Sequence, residues 1–132
     1  MIERLVISLL VAGFTIGTIT HTLLVINVGW IVFDDAPVWM NVYWTALTVL
    51  DPLAAILLIW RRQTGLILAA TIIVSDVAIN SHALYGLGLP LPFAGLQFQT
   101  LFCGFLLGSI GFLAVSRESD DVKEERLYAR KP

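Results

Sequence analysis

The sequence of residues 41–85 is NVYWTALTVLDPLAAILLIWRRQTGLILAATIIVSDVAINSHALY, two apolar segments joined by a short basic turn. Each segment is long enough for a helix that crosses a bilayer, for which about 20 apolar residues suffice. Each also carries an aspartate near its middle, Asp51 in the first and Asp76 in the second. An ionisable residue at the centre of a membrane helix costs at least roughly 2.5–3.5 kcal/mol. This hairpin is therefore expected to contain the functional core.

The composition outside the hairpin is also typical of a membrane protein. Of the 132 residues, 58% are hydrophobic and only 14% are charged, whereas a soluble domain has about 25% charged residues. The expected fold is all-α, an antiparallel bundle of four transmembrane helices within residues 1–116, followed by a charged cytoplasmic tail at residues 117–132. The four helices are expected at residues 5–33, 38–60, 65–85 and 96–115.

The positions of the basic residues predict the orientation. All eight Lys and Arg residues lie in three places, namely Arg4, the pair Arg61 and Arg62, and the segment from Arg117 onward. The positive-inside rule then predicts that both termini and the turn between the second and third helices are cytoplasmic. The expected location is a bacterial inner (plasma) membrane. Four tryptophans are expected at the membrane interfaces: Trp30, Trp39 and Trp44 on the outer side and Trp60 on the cytoplasmic side.

Polar residues of the second and third helices are expected to face a common pocket. On the second helix, Asn41, Thr45, Thr48 and Asp51 recur at spacings of three and four, and so share one face. Pro52 cannot donate its backbone hydrogen bond and is expected to kink this helix. At about 1.5 Å per residue, both aspartates fall near the mid-plane. The candidate ligand-binding residues are Asp51, Asp76, Asn80, His21, His82, Thr48 and Gln99.

Several kinds of function fit these residues. The leading hypothesis is binding of a small ligand, with proton-linked transport as its extension, because two adjacent carboxyl groups can share a proton and exchange it for a ligand. A membrane-embedded enzyme or receptor acting on a lipophilic substrate is the runner-up, with its catalytic residues unassigned. A structural accessory subunit of a membrane complex is the third hypothesis. In that case the polar groups would only hold the helices together.

The layout resembles that of the EXPERA-type group of sterol isomerases and sigma-2 receptors. That group also has small helical bundles with buried acids, histidines and tryptophans, and a proline in a central helix, as Pro52 would be here. The resemblance concerns the general layout and implies a lipophilic ligand or substrate. No residue takes a role from it.

Few other ligands are expected. His21 and His82 lie at similar predicted heights, an arrangement that a bis-histidine haem would need, but we expect no cofactor and a colourless protein. The sequence has no metal-ligand spacing, no phosphate-binding loop and no basic patch for nucleic acid. Expected partners are membrane lipid and a second copy of the chain, packed through Gly13/Gly17 or Gly104/Gly108. For the first glycine pair, packing inside the bundle is the favoured alternative.

Overall fold

A computed structural model describes the backbone of residues 1–128 and the side chains of residues 1–113. All regular secondary structure among these residues is helical, which confirms the predicted all-α class. The predicted charged tail, residues 117–132, lies outside the residues whose side chains are described. The four long helices of the described chain are α1 (Ile2–Val28), α2 (Val38–Trp60), α3 (Arg62–Ser81) and α4 (Phe93–Tyr128).

All four helices are long and apolar enough to cross a membrane. In α4 this apolar part is Phe93–Leu113, and α3 gains length from a wider, π-helical turn at His82–Gly86. Large apolar side chains such as Ile16, Val49 and Leu101 are exposed on the outer faces. Apolar surface of this extent is unusual for a soluble monomer and is what lipid covers in a membrane protein.

Helix α1 ends at Val28, about one turn earlier than the sequence predicted. Gly29 has a φ of +93°, a left-handed conformation that glycine adopts readily and that ends the helix. The connection that follows is fixed by the side chain of Asn41 from the first turn of α2. The backbone N–H groups of Val32 and Phe33 donate to Asn41 Oδ1, and Asn41 Nδ2 donates to the Phe33 carbonyl at 3.0 Å. Asn41 therefore holds a loop and is not available to a pocket.

Each helix packs chiefly against the next one along the chain, and α1 also contacts α4. The ring of Phe102 on α4 lies directly on Gly13 of α1 and meets Phe14 edge to face, with ring centroids 5.6 Å apart. Such aromatic pairs add about 0.5–1.5 kcal/mol beyond their buried area. The large side chains that are fully buried in this core are Leu10, Met40, Leu47, Leu58 and Leu106.

The connection between α2 and α3 is very short, with only Arg61 between the two helices. Gly65 lies against the backbone of Leu58, and a side chain there would overlap it. The Arg62 guanidinium donates to the carboxylate of Glu3, which forms an ion pair between this connection and the first turn of α1. The helix that carries Asp51 and the helix that carries Asp76 are thus held close together.

Candidate functional site

One buried asparagine joins three helices. The Trp44 indole N–H on α2 donates to Asn80 Oδ1 on α3 at 2.8 Å. Asn80 Nδ2 donates to Asp76 Oδ1 at 3.0 Å and to Gln99 Oε1 on α4 at 2.9 Å. Trp44, Asp76 and Asn80 are all at most 5% exposed. We call these four residues the Asn80 network. Both N–H groups of the Asn80 amide are occupied in it.

A second polar contact joins α2 and α3 beside this network. The Tyr43 hydroxyl lies 2.7 Å from Ser75 Oγ and 3.2 Å from the carbonyl oxygen of Ile72. Ser75 also lies within bonding distance of the carbonyl oxygens of Thr71 and Ile72. Tyr43 and Ser75 are the chain neighbours of Trp44 and Asp76. The polar groups of α2 and α3 therefore meet along one stretch of the helix contact.

The Asp51 carboxylate makes no hydrogen bond with the described residues. It is only 4% exposed, and no residue that the structure describes donates a hydrogen bond to either carboxylate oxygen. The Asp51 oxygens keep slight exposure, because the fully buried side-chain nitrogen or oxygen atom without a partner in the described part of the chain is Arg62 Nη2.

The wall of the site next to Asp51 is the backbone of α1. The carboxylate packs against Gly17, where an added methyl group would overlap Asp51 Oδ2. His21 lies one helical turn beyond Gly17 on the same side of α1 and is half-buried. Gly17 therefore packs against another helix of the same chain. Packing inside the bundle was the favoured alternative for the Gly13/Gly17 pair.

Pro52, directly after Asp51, removes one backbone hydrogen bond from α2. The helix runs continuously through Pro52, but Pro52 has no N–H to donate to the Thr48 carbonyl four residues earlier. The Thr48 hydroxyl donates to the Thr45 carbonyl of its own helix at 2.8 Å. The side chain of Thr48 is thus satisfied locally, whereas its backbone carbonyl lacks the usual helical donor.

Of the seven candidate residues, the structure joins Asp76, Asn80 and Gln99 directly, whereas Asp51 packs against Gly17 of α1. His82 lies in the π-helical turn, where its imidazole packs against Gly86. Among the residues described, no group of three or more His, Cys, Asp and Glu side chains could hold a metal ion.

Sequence reasoning missed Trp44 and Tyr43 as members of the site. Trp44 was assigned to the outer membrane interface, but its ring is buried and packs edge to face on Phe33. Its spacing of seven residues from Asp51 places both on one face of α2 and is the signal that could have found it. Tyr43 gave no comparable signal.

The two glycine pairs have different surroundings. Gly13 and Gly17 contact Phe102 and Asp51, and thus pack within the chain. A Cβ at Gly104 or Gly108 would meet no described atom within 4 Å. A dimer through this second pair stays a prediction.

Comparison with protein-family models, curated proteins and solved structures gave no match. No residue role is therefore taken from a known protein, and the functional argument depends on the chemistry of the site.

Proposed function

We propose that this chain is an integral membrane protein that binds a small ligand at a proton-sharing pair formed by Asp51 and Asp76. The observation that carries the proposal is the Asp51 carboxylate, 4% exposed and without a hydrogen-bond donor among the described residues. The chain has no Lys or Arg between Arg4 and Arg61 that could neutralise it from α1 or α2. A proton or a ligand would balance the charge.

Proton-linked transport follows if the ligand and the proton compete for the same pair of carboxyl groups. Two like charges in apolar surroundings repel, so the empty pair keeps at least one proton and gives it up when the ligand binds. In this proposal the helices alternate in direction, both termini are cytoplasmic, and the protein lies in the plasma membrane of a bacterium. The support for this orientation is the location of the basic residues.

The orientation can be tested by cysteine labelling in a Cys103→Ser background. An impermeant thiol reagent should label Leu87→Cys from the extracytoplasmic side and Gln63→Cys only after the membrane is opened. Both positions are exposed, and Leu87 is preferable to its neighbour Gly88, whose φ of +67° disfavours a side chain. The reverse labelling pattern would overturn the orientation.

If Asp51 and Asp76 share a proton, the melting temperature should depend on pH through both residues together. Acidification removes one of two adjacent buried charges, so the melting temperature of the wild type should rise as the pH falls from about 9 to about 5. Asp51→Asn or Asp76→Asn alone should weaken this dependence and leave folding intact or improved, because each relieves the repulsion. The effect of the double variant should differ from the sum of the two single effects.

The matched control is Asp35→Asn, in the exposed loop between α1 and α2, which should keep the wild-type pH profile. If the effects of Asp51→Asn and Asp76→Asn simply add and do not vary with pH, the shared site is wrong. That result would favour the second candidate, a structural subunit. The Asn80 network already supports that candidate in part, because it uses Asn80 and Gln99 to hold helices together.

A further inference from the structure

One indole N–H group fixes the orientation of two side-chain amides. The Trp44 indole nitrogen can only donate a hydrogen bond, so the Asn80 atom that it meets at 2.8 Å is the carbonyl oxygen Oδ1. Asn80 therefore presents its nitrogen to α4, where it donates to Gln99 at 2.9 Å. The Gln99 atom at this contact has to be the acceptor Oε1, because two N–H groups cannot bond each other. The amide nitrogen of Gln99, Nε2, is thus not used by Asn80.

Two atoms of the Asn80 network have no hydrogen bond with the described residues. Gln99 Nε2 carries two N–H groups and donates neither, and Asp76 Oδ2 accepts no bond. Asp76 Oδ1 and Gln99 Oε1 both bond the same Asn80 nitrogen, at 3.0 and 2.9 Å. These two oxygens are therefore no farther apart than the sum of those distances. Asn80 thus holds one free donor group and one free acceptor in the same place.

Both free atoms keep slight exposure. The fully buried side-chain nitrogen or oxygen atom without a partner in the described part of the chain is Arg62 Nη2, and not Gln99 Nε2 or Asp76 Oδ2. Gln99 as a whole is half-buried. The outer surface of α4 near Gln99 is apolar, with Phe98 72% and Leu101 71% exposed. A molecule that approaches Gln99 from the membrane therefore meets apolar surface around a small polar site.

From these two atoms we infer that the ligand is an uncharged lipophilic molecule with a hydroxyl group at its polar end. The inference rests on the proposed function, which places a ligand at Asp76, and names the class of that ligand. A hydroxyl is the smallest uncharged group that can accept a hydrogen bond from Gln99 Nε2 and donate one to Asp76 Oδ2. The apolar surroundings fit an alkyl body, since ligand sites are mostly apolar with a few polar groups that orient the ligand.

Other polar groups satisfy only part of the site. A ketone, an ester or an ether can accept from Gln99 Nε2 but leaves Asp76 Oδ2 without a donor. An ammonium group can donate to Asp76 Oδ2 but leaves the Gln99 N–H groups without an acceptor. A carboxylate would add a second negative charge beside Asp76, and like charges in apolar surroundings repel.

The test measures the quenching of Trp44 emission by bromine, which acts only at short range. The substitutions Trp30→Phe, Trp39→Phe and Trp60→Phe leave Trp44 as the single tryptophan of the chain. The purified full-length protein in detergent micelles is titrated with 2-bromooctan-1-ol, with its methyl ether and with 2-bromooctane. All three probes are compared at equal mole fractions in the micelle. The alcohol donates and accepts hydrogen bonds, the ether only accepts, and the bromoalkane does neither.

We expect saturable quenching by the alcohol, because its hydroxyl group is held beside Asn80, to which Trp44 is bonded. The ether lacks one hydrogen bond, so its half-saturating mole fraction should be roughly 2–10 times higher. The bromoalkane should quench without saturation. The inference is overturned if the ether or the bromoalkane quenches as well as the alcohol.

The matched variants are Gln99→Met and Gln97→Met. Each removes one glutamine amide of α4 and keeps a side chain of similar length, but Gln97 is exposed and has no hydrogen bond with the described residues. Saturable quenching by the alcohol should be lost in Gln99→Met and kept in Gln97→Met. Equal quenching in the two variants would also overturn the inference.

Asp76→Asn is the second variant, and it decides the case if Gln99→Met does not fold. The Asn80 nitrogen requires the oxygen of the new amide at the position of Oδ1, so an N–H group replaces Oδ2. The ligand hydroxyl then loses its acceptor, and the alcohol and the ether should quench equally. An alcohol that stays superior to the ether in this variant would show that Asp76 does not accept its hydrogen bond.

The two proposals fail in different ways. If the Asp51–Asp76 coupling is observed but the alcohol is not preferred, the shared site stands and the ligand class is wrong. If the alcohol binds through Gln99 but the pH-dependent coupling is absent, the ligand class stands and the proton-sharing pair is wrong.

Discussion

Replacing Asn80 with leucine is expected to destabilise the protein more than any other single change described here. The substitution keeps the side-chain volume similar but removes the three bonds to Trp44, Asp76 and Gln99. Interhelical hydrogen bonds in membrane proteins contribute about 0.6 kcal/mol on average and up to about 1.7 kcal/mol. The total loss should therefore be about 2–5 kcal/mol, a large fraction of the usual 5–15 kcal/mol. Melting curves and the tryptophan emission maximum would measure it.

The matched control for this change is Asn27→Leu. Asn27 is exposed and its amide donates only to the Leu23 carbonyl of its own helix. That variant should melt within a few degrees of the wild type, since exposed substitutions rarely change stability by more than about 0.5 kcal/mol. Equal losses in the two variants would show that the Asn80 network does not hold the helices together.

Gly17→Ala is expected to have the second largest effect, from the addition of a single methyl group. The new Cβ would overlap Asp51 Oδ2, so either the carboxylate or helix α1 has to move. Overpacking of a well-packed core typically costs about 1–3 kcal/mol, and the low end of this range is expected because the overlapping atom is at the end of the Asp51 side chain. The melting temperature should therefore fall.

A double-mutant cycle makes this prediction specific. The combination of Gly17→Ala with Asp51→Ala removes the overlapping atoms, so the second change should recover part of the stability that the first one lost. Gly104→Ala is the control, because a Cβ there meets no described atom within 4 Å. Alanine has the better helix propensity, by up to about 1 kcal/mol, so the control should be neutral or stabilised. A stabilised Gly17→Ala protein would contradict the contact.

The sequence predicted the parts of this structure that depend on local pattern. The apolar runs predicted α2 with the bounds that the structure has. The end of α1 was missed because it depends on a contact across nine residues, between Val32 and Asn41. No periodicity reports such a contact.

The missed residues of the site have a similar cause. The rotation of one helix against another decides whether Trp44 faces lipid or Asn80, and this depends on all the side chains between them. Composition favoured the interface, where tryptophan is common. The unused oxygens of Asp51 likewise became visible only when the partners of Trp44, Tyr43 and Asn80 were known.

The attachment of α1 has a mechanical consequence. One end is bound by the ion pair of Glu3 with Arg62, and the chain just beyond its other end is bound by Thr45, whose hydroxyl donates to the Trp30 carbonyl. Only 11% of its apolar span is buried between these two attachments. The centre of the helix is held as well, at Gly13 by the Phe102 ring and at Gly17 by the Asp51 carboxylate. A shift of the Asp51 side chain would therefore act directly on the middle of α1 while the two ends of the helix stay in place.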